Sequence, residues 1–67
     1  MNLRQLRSLA TILDRGSFVA AGDQIGLSQA AISVQMRQLE ATLGVDLFDR
    51  SSRPVALTAE GVRIARL

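Results

Sequence analysis

The sequence predicts a mainly α-helical domain: three helices, a two-stranded hairpin and the start of a fourth helix. Three observations lead there. Apolar residues recur at steps of three and four through residues 2–15 and 28–43, the period of an amphipathic helix. The helical stretches open on Asn2, Ser17 and Ser28 and close on Gly16, Gly26 and Gly44, residue types that cap helix beginnings and ends. The hydrophobic fraction is 48% with only two aromatics, Phe18 and Phe48, a balance suited to a core of Leu, Ile, Val and Ala rather than to a disordered tail.

Each element follows from its own residues. Residues 2–15 carry Leu3, Leu6, Leu9, Ala10 and Leu13 on one stripe, with Asn2 as cap. Ser17 starts a short second helix over Phe18 to Ile25, ended by Gly26. Gly22 lies inside it, where glycine costs about 1 kcal/mol relative to alanine, so a close approach by another helix is expected there. Ser28 caps a third helix to about Leu43, with Ile32, Met36, Leu39 and Leu43 turned inward and Ala30, Ser33, Val34, Arg37, Gln38 and Ala41 outward. Residues 45–50 alternate loosely and residues 55–57 form a short apolar run. The polar turn Ser51-Ser52-Arg53-Pro54 between them makes the pair a small hairpin. Thr58 caps a last helix from Ala59 to Leu67.

Composition excludes several functions. With no cysteine and no histidine, disulfides, thiolate metal sites and the usual general base are missing. Six carboxylates are spread along the chain, and Ser28 and Ser51 have simpler roles as cap and turn residue, so no nucleophile–base pair or metal cluster is expected and the chain does not read as an enzyme. No cofactor is expected. The longest uncharged run, residues 24–36, contains Gln and Ser and is too short to span a bilayer, which needs about 20 apolar residues. The N-terminus lacks a signal-peptide stretch, and a cytoplasmic protein without membrane contact is the expectation.

The charge is less informative than it looks. The pI is about 11.2 but the net charge is only +2, because all eight basic residues are arginine and almost nothing titrates between them and the carboxylates. The positive excess falls on the first and fourth helices, while Arg37 on the third is offset by Glu40. Composition alone therefore permits nucleic acid without indicating it.

Position says more. Two helices joined by a very short turn at Gly26-Leu27 carry the signature of a helix-turn-helix, with Gly22, Gly26 and Ile32 supplying the small residue, the turn glycine and the branched inner residue that a tight crossing needs. An αα-hairpin in any bundle would share that pattern. The outward face of the third helix is more discriminating, because Gln29, Ser33, Arg37 and Gln38 are the side chains that read base edges and Val34 can touch a thymine methyl. A hairpin after such a unit sets its turn toward the neighbouring minor groove, where Arg53 fits the negative potential and Pro54 stiffens the tip. A solvent-exposed turn arginine is the plainer reading of Arg53 taken singly.

The chain resembles the N-terminal DNA-binding domain of LysR-type transcriptional regulators along its whole length. The resemblance is carried by the joint order and spacing of several stretches. They are Leu3-Arg4-Gln5-Leu6, Gly16-Ser17-Phe18, Ala20-Ala21, Ser28-Gln29, Gln35, Arg37, Leu39-Glu40, Leu43-Gly44-Val45, Leu47-Phe48, Arg50, Leu57-Thr58 and Gly61. It implies a winged helix-turn-helix that binds double-stranded DNA at interrupted palindromes as a homodimer. Residues 28–43 would be the recognition helix in the major groove, with contacts at Gln29, Ala30, Ser33 and Val34, and residues 51–54 the wing at the minor groove, with contacts at Arg53 and Pro54. Ser17 and Gln35 match positions that contact phosphate or fix the unit.

Three substitutions depart from the family pattern. Ala30 replaces a frequent proline, Val34 stands where many relatives carry arginine, and Gly22 replaces a usual alanine. The resemblance divides the chain into a DNA-binding domain over residues 1–57 and the start of a linker and dimerisation helix over residues 58–67. Family members continue into a C-terminal domain that binds a small effector. A chain ending at Leu67 is therefore expected to be a truncated piece whose dimerisation is weak or absent and whose effector acts only through the missing domain. The alternative reading is a winged-helix protein-interaction module without direct DNA readout.

Overall fold

A computed structural model describes residues 2–52 and 55–67. The order is α1 (Leu3–Arg15), α2 (Phe18–Ile25), α3 (Gln29–Leu43), β1 (Phe48–Asp49), β2 (Ala56–Leu57) and α4 (Ala59–Ala65). The strands pair antiparallel, Phe48 opposite Leu57 and Asp49 opposite Ala56. The architecture is the winged helix-turn-helix expected, with a two-stranded wing after α3.

The caps work as the sequence predicts. Asn2 forms a capping box with Gln5: the Gln5 amide donates to Asn2 Oδ1 at 2.9 Å and the Asn2 amide donates to Gln5 Oε1 at 3.1 Å. Ser17, Ser28 and Thr58 each accept from the amide three residues on, those of Ala20, Ala31 and Gly61. Gly16, Gly26 and Gly44 end their helices in the left-handed conformation.

Leu9, Ile12, Ala21, Ile32, Met36, Leu39, Leu47 and Phe48 form one buried core. Phe18 and Phe48 meet edge to face with centroids 4.9 Å apart, tying the start of α2 to β1. Gly22 is where the turn closes. A Cβ there would run into the carbonyl oxygen of Leu27 and come within 3.3 Å of Ile32 Cδ1. The close approach is thus made chiefly by the turn backbone, with α3 second. The Gly22 carbonyl itself accepts from the amides of Gly26 at 2.7 Å and Leu27 at 3.0 Å.

Three local expectations shift. In α1 the buried strip is Gln5, Ser8, Leu9 and Ile12, while Leu3 is 69% exposed and Ala10 is exposed. The apolar stripe sits one position off the packed one: Gln5 and Ser8 are buried, and the Gln5 Oε1 is satisfied by the Asn2 amide. The strands are two residues each, shorter than the apolar runs. Residues 46 and 47 pair differently: the Leu47 amide donates to Glu40, and Thr58 holds the carbonyls of Asp46 and Leu47 through its hydroxyl at 2.7 Å and amide at 2.9 Å. Finally, α4 ends at Ala65, before the expected Leu67.

Candidate nucleic-acid interface

The exposed side of α3 divides by helical geometry, since residues four apart lie nearly in line. Gln29, Ser33 and Arg37 make one flank; they line an open groove of about 610 Å³ together with Ser17, Phe18, Val19, Arg50 and Val55. Ala30, Val34 and Ala41 lie along the exposed middle, where Val34 is 56% exposed. Gln38 and Gln35 lie on the far flank, in a second depression of about 290 Å³ shared with Asn2, Arg4, Gln5 and Leu27.

The predicted residues are therefore divided between two sides. Ser17, Gln29, Ser33 and Arg37 are brought together, with Ser17 at once the cap of α2 and part of the groove wall. Gln35 and Gln38 face the start of α1 instead. Gln35 is half-buried, and its Oε1 is enclosed with no hydrogen-bond partner among the described residues. Arg53 and Pro54 lie outside the described residues. Among the described residues no group of three or more carboxylates, histidines or cysteines gathers for a metal. No helix among them is long and apolar enough to cross a membrane.

Glu40 and Arg50 form a feature the residue-by-residue reading missed. The Arg50 guanidinium meets the Glu40 carboxylate as a fork, at 2.8 Å and 3.1 Å, and lies over the Phe48 ring at 5.8 Å from its centre. The same carboxylate accepts the amides of Leu47 at 2.8 Å and Phe48 at 3.3 Å. Partial burial raises the Glu40 carboxyl, but the Arg50 fork and the two amides outweigh it and hold it below the ordinary carboxylate value. The same ion pair raises Arg50. Asp49 is also held low, chiefly by the Ser51 hydroxyl and then by the Ser51 amide, in the turn of the hairpin. The signal available in sequence was an opposite charge ten residues away, which periodicity does not weigh.

This pairing revises the electrostatics of α3. Glu40 neutralises Arg50 rather than Arg37, and among the described residues no carboxylate pairs with Arg37. The groove flank thus presents an amide, a hydroxyl and an unopposed guanidinium.

Comparison with known proteins agrees with this geometry. Residues 3–62 match the family described as bacterial regulatory helix-turn-helix protein, lysR family. The HTH-type transcriptional regulator YfeR of Shigella flexneri is 44% identical over 64 residues, covering 96% of this chain and 21% of that protein. The regulator BenM of Acinetobacter baylyi is 41% identical over 61 residues, covering 91% and 20%. Among solved structures, the BenM DNA-binding domain with catB site 1 DNA superposes with a TM-score of 0.90 at 38% identity, covering 98% of this chain and 71% of that one. The CbnR DNA-binding domain in its DNA complex gives a TM-score of 0.88 at 39% identity, covering 98% and 76%. The chain spans about a fifth of the length of these curated relatives. The chain belongs to the LysR family of bacterial helix-turn-helix regulators.

Proposed function

We propose that this chain is the DNA-reading head of a LysR-type transcriptional regulator and binds double-stranded DNA by sequence. The observation that carries the reading is the α3 flank of Gln29, Ser33 and Arg37, exposed beside the α2 cap in one groove. In this reading α3 enters the major groove. Gln29 addresses adenine, Arg37 guanine, and Ser33 either, while Ala30 and Val34 offer apolar contact to thymine methyls. Ser17 borders a phosphate on the near strand, and Gln35 and Gln38 border the other side of the helix. Arg53 and Pro54 reach the minor groove. The DNA complexes of the BenM and CbnR domains support the reading, because 98% of this chain superposes on each.

Two copies on an interrupted palindrome are the proposed functional unit, each reading one half-site in the bacterial cytoplasm. A small effector would act through the remainder of the regulator. One chain on one half-site binds weakly. The test is titration of the chain against a duplex selected from a random library, at several salt concentrations. Affinity falls steeply with salt as counterions are released from the phosphates. Gln29→Ala and Ser33→Ala change which duplexes are selected, whereas Arg53→Ala weakens binding with less change in preference. A flat salt response, or no binding to any duplex, returns the chain to the class of protein-interaction modules.

A further inference from the structure

The Glu40 carboxylate stands between two elements that the proposed reading places on DNA. It projects from the C-terminal half of α3 with its side chain only 11% exposed, and gathers four hydrogen bonds from residues 47–50. Two come from backbone amides at the entry to β1 and two from the Arg50 fork. Arg50 in turn covers Phe48, whose strand partner is Leu57 on the returning strand. One chain of contacts therefore runs from α3 through Glu40 to both strands of the wing. Arg50 also lines the groove beside Gln29, Ser33 and Arg37, so the pair sits at the junction of helix and wing.

We propose that Glu40 and Arg50 are positioning residues, a latch that fixes the wing against the recognition helix so that a duplex meets both as one body. The inference rests on the DNA-reading function proposed above. A carboxylate is suited to the task because it accepts only, and its two oxygens take the planar guanidinium fork and the two amides at once. Glutamine keeps the shape but turns one oxygen into a donor, which opposes the Arg50 fork. With the latch open, the wing must be ordered during binding. That cost is subtracted from affinity even though no contacting side chain has been removed.

The test compares wild type with Glu40→Gln, Arg50→Lys, Arg53→Ala and the Glu40→Gln/Arg53→Ala double variant. Affinity is measured for the selected duplex well below the melting temperature of each protein, with circular dichroism confirming the fold. Glu40→Gln binds about tenfold more weakly while fully folded, and Arg50→Lys, which keeps the charge and loses the fork, falls in between. Arg53→Ala weakens wild type several-fold but costs the Glu40→Gln protein less than about twofold, the non-additivity expected of coupled groups. Wild-type affinity in Glu40→Gln, or a full Arg53 penalty in the double variant, overturns the latch.

Residual dipolar couplings of the free proteins give a readout independent of DNA. The latch predicts that the amides of Ala56 and Leu57 reorient relative to α3 in Glu40→Gln and in Arg50→Lys while α1 and α2 keep their alignment. Unchanged couplings overturn it. If wild type binds no duplex but the couplings shift, the DNA reading fails and the mechanical link stands.

Discussion

The helix-turn-helix and the wing are held to the core by different forces. The α2–α3 unit is set by packing: Ile32, Met36 and Leu39 are fully buried, and Gly22 admits the turn carbonyl at a point where a Cβ would force the backbone to shift. The wing has two ladder pairs and takes much of its order from side chains, the Glu40 carboxylate on one side and Thr58 on the other. Apolar packing is non-directional and tolerates small shifts, whereas a carboxylate gathering four donors is tied to one geometry. The helix proposed to read bases thus rests on the packed core, and the wing proposed to meet the minor groove is set by a polar joint.

Breaking the packed region should cost most. Gly22→Ala gains about 1 kcal/mol of helix propensity, but its methyl collides with the Leu27 carbonyl, and overpacking of this kind costs about 1–3 kcal/mol or more. A net loss of stability is therefore expected, measured as a lowered Tm. Gly61→Ala tests the same point where α4 crosses the wing, since its methyl would meet the Leu47 carbonyl. Ile12→Ala should lose about 2–4 kcal/mol by leaving a core cavity.

The polar joint should yield less than the Ile12 cavity. Glu40→Gln is expected to cost about 2 kcal/mol, below the figure for a fully buried pair because the Arg50 side chain is 36% exposed. The pH dependence separates this contribution from packing. The folded-state pKa of Glu40 lies below the ordinary value of 4.5, so its stabilisation is complete above 4.5 and is lost as the pH falls through the lowered value. Asp49 adds a loss of the same sign below 3.8. Melting curves on the acid side should therefore fall less steeply in Glu40→Gln than in wild type. A parallel fall would remove the carboxylate from the account. The smallest effect is expected at Leu3→Gln: the side chain lies on the predicted apolar stripe but is 69% exposed, and the change should stay within about 0.5 kcal/mol.

The same division explains what was legible in sequence. The bounds of α2 and α3 follow from Ser17, Gly26, Ser28 and Gly44, because caps and left-handed glycines act within a few residues of themselves. Helical spacing brings out Gln29, Ser33 and Arg37 as the proposed reading residues but groups Gln38 with them, which the structure sets on the far flank. The α1 face is offset by one position from the apolar pattern because two polar residues, Gln5 and Ser8, are buried on it, with the Gln5 Oε1 satisfied by the Asn2 amide. The latch was not legible, since Glu40 and Arg50 are joined only when the chain folds back after Gly44, and net-charge arithmetic paired Glu40 with Arg37 instead. Gly61 was visible only as part of a pattern; its reason is the Leu47 carbonyl that occupies the space of a methyl.

The central claim is that the exposed flank of α3 reads sequence. The most direct measurement is the ratio of affinities for the selected duplex and a scrambled one, for wild type and Gln29→Ala, at matched salt. The account predicts that Gln29→Ala narrows the ratio by about tenfold, the worth of one good bidentate contact, while binding to the scrambled duplex is unchanged. An unchanged ratio, with wild-type affinity for both duplexes, would contradict it.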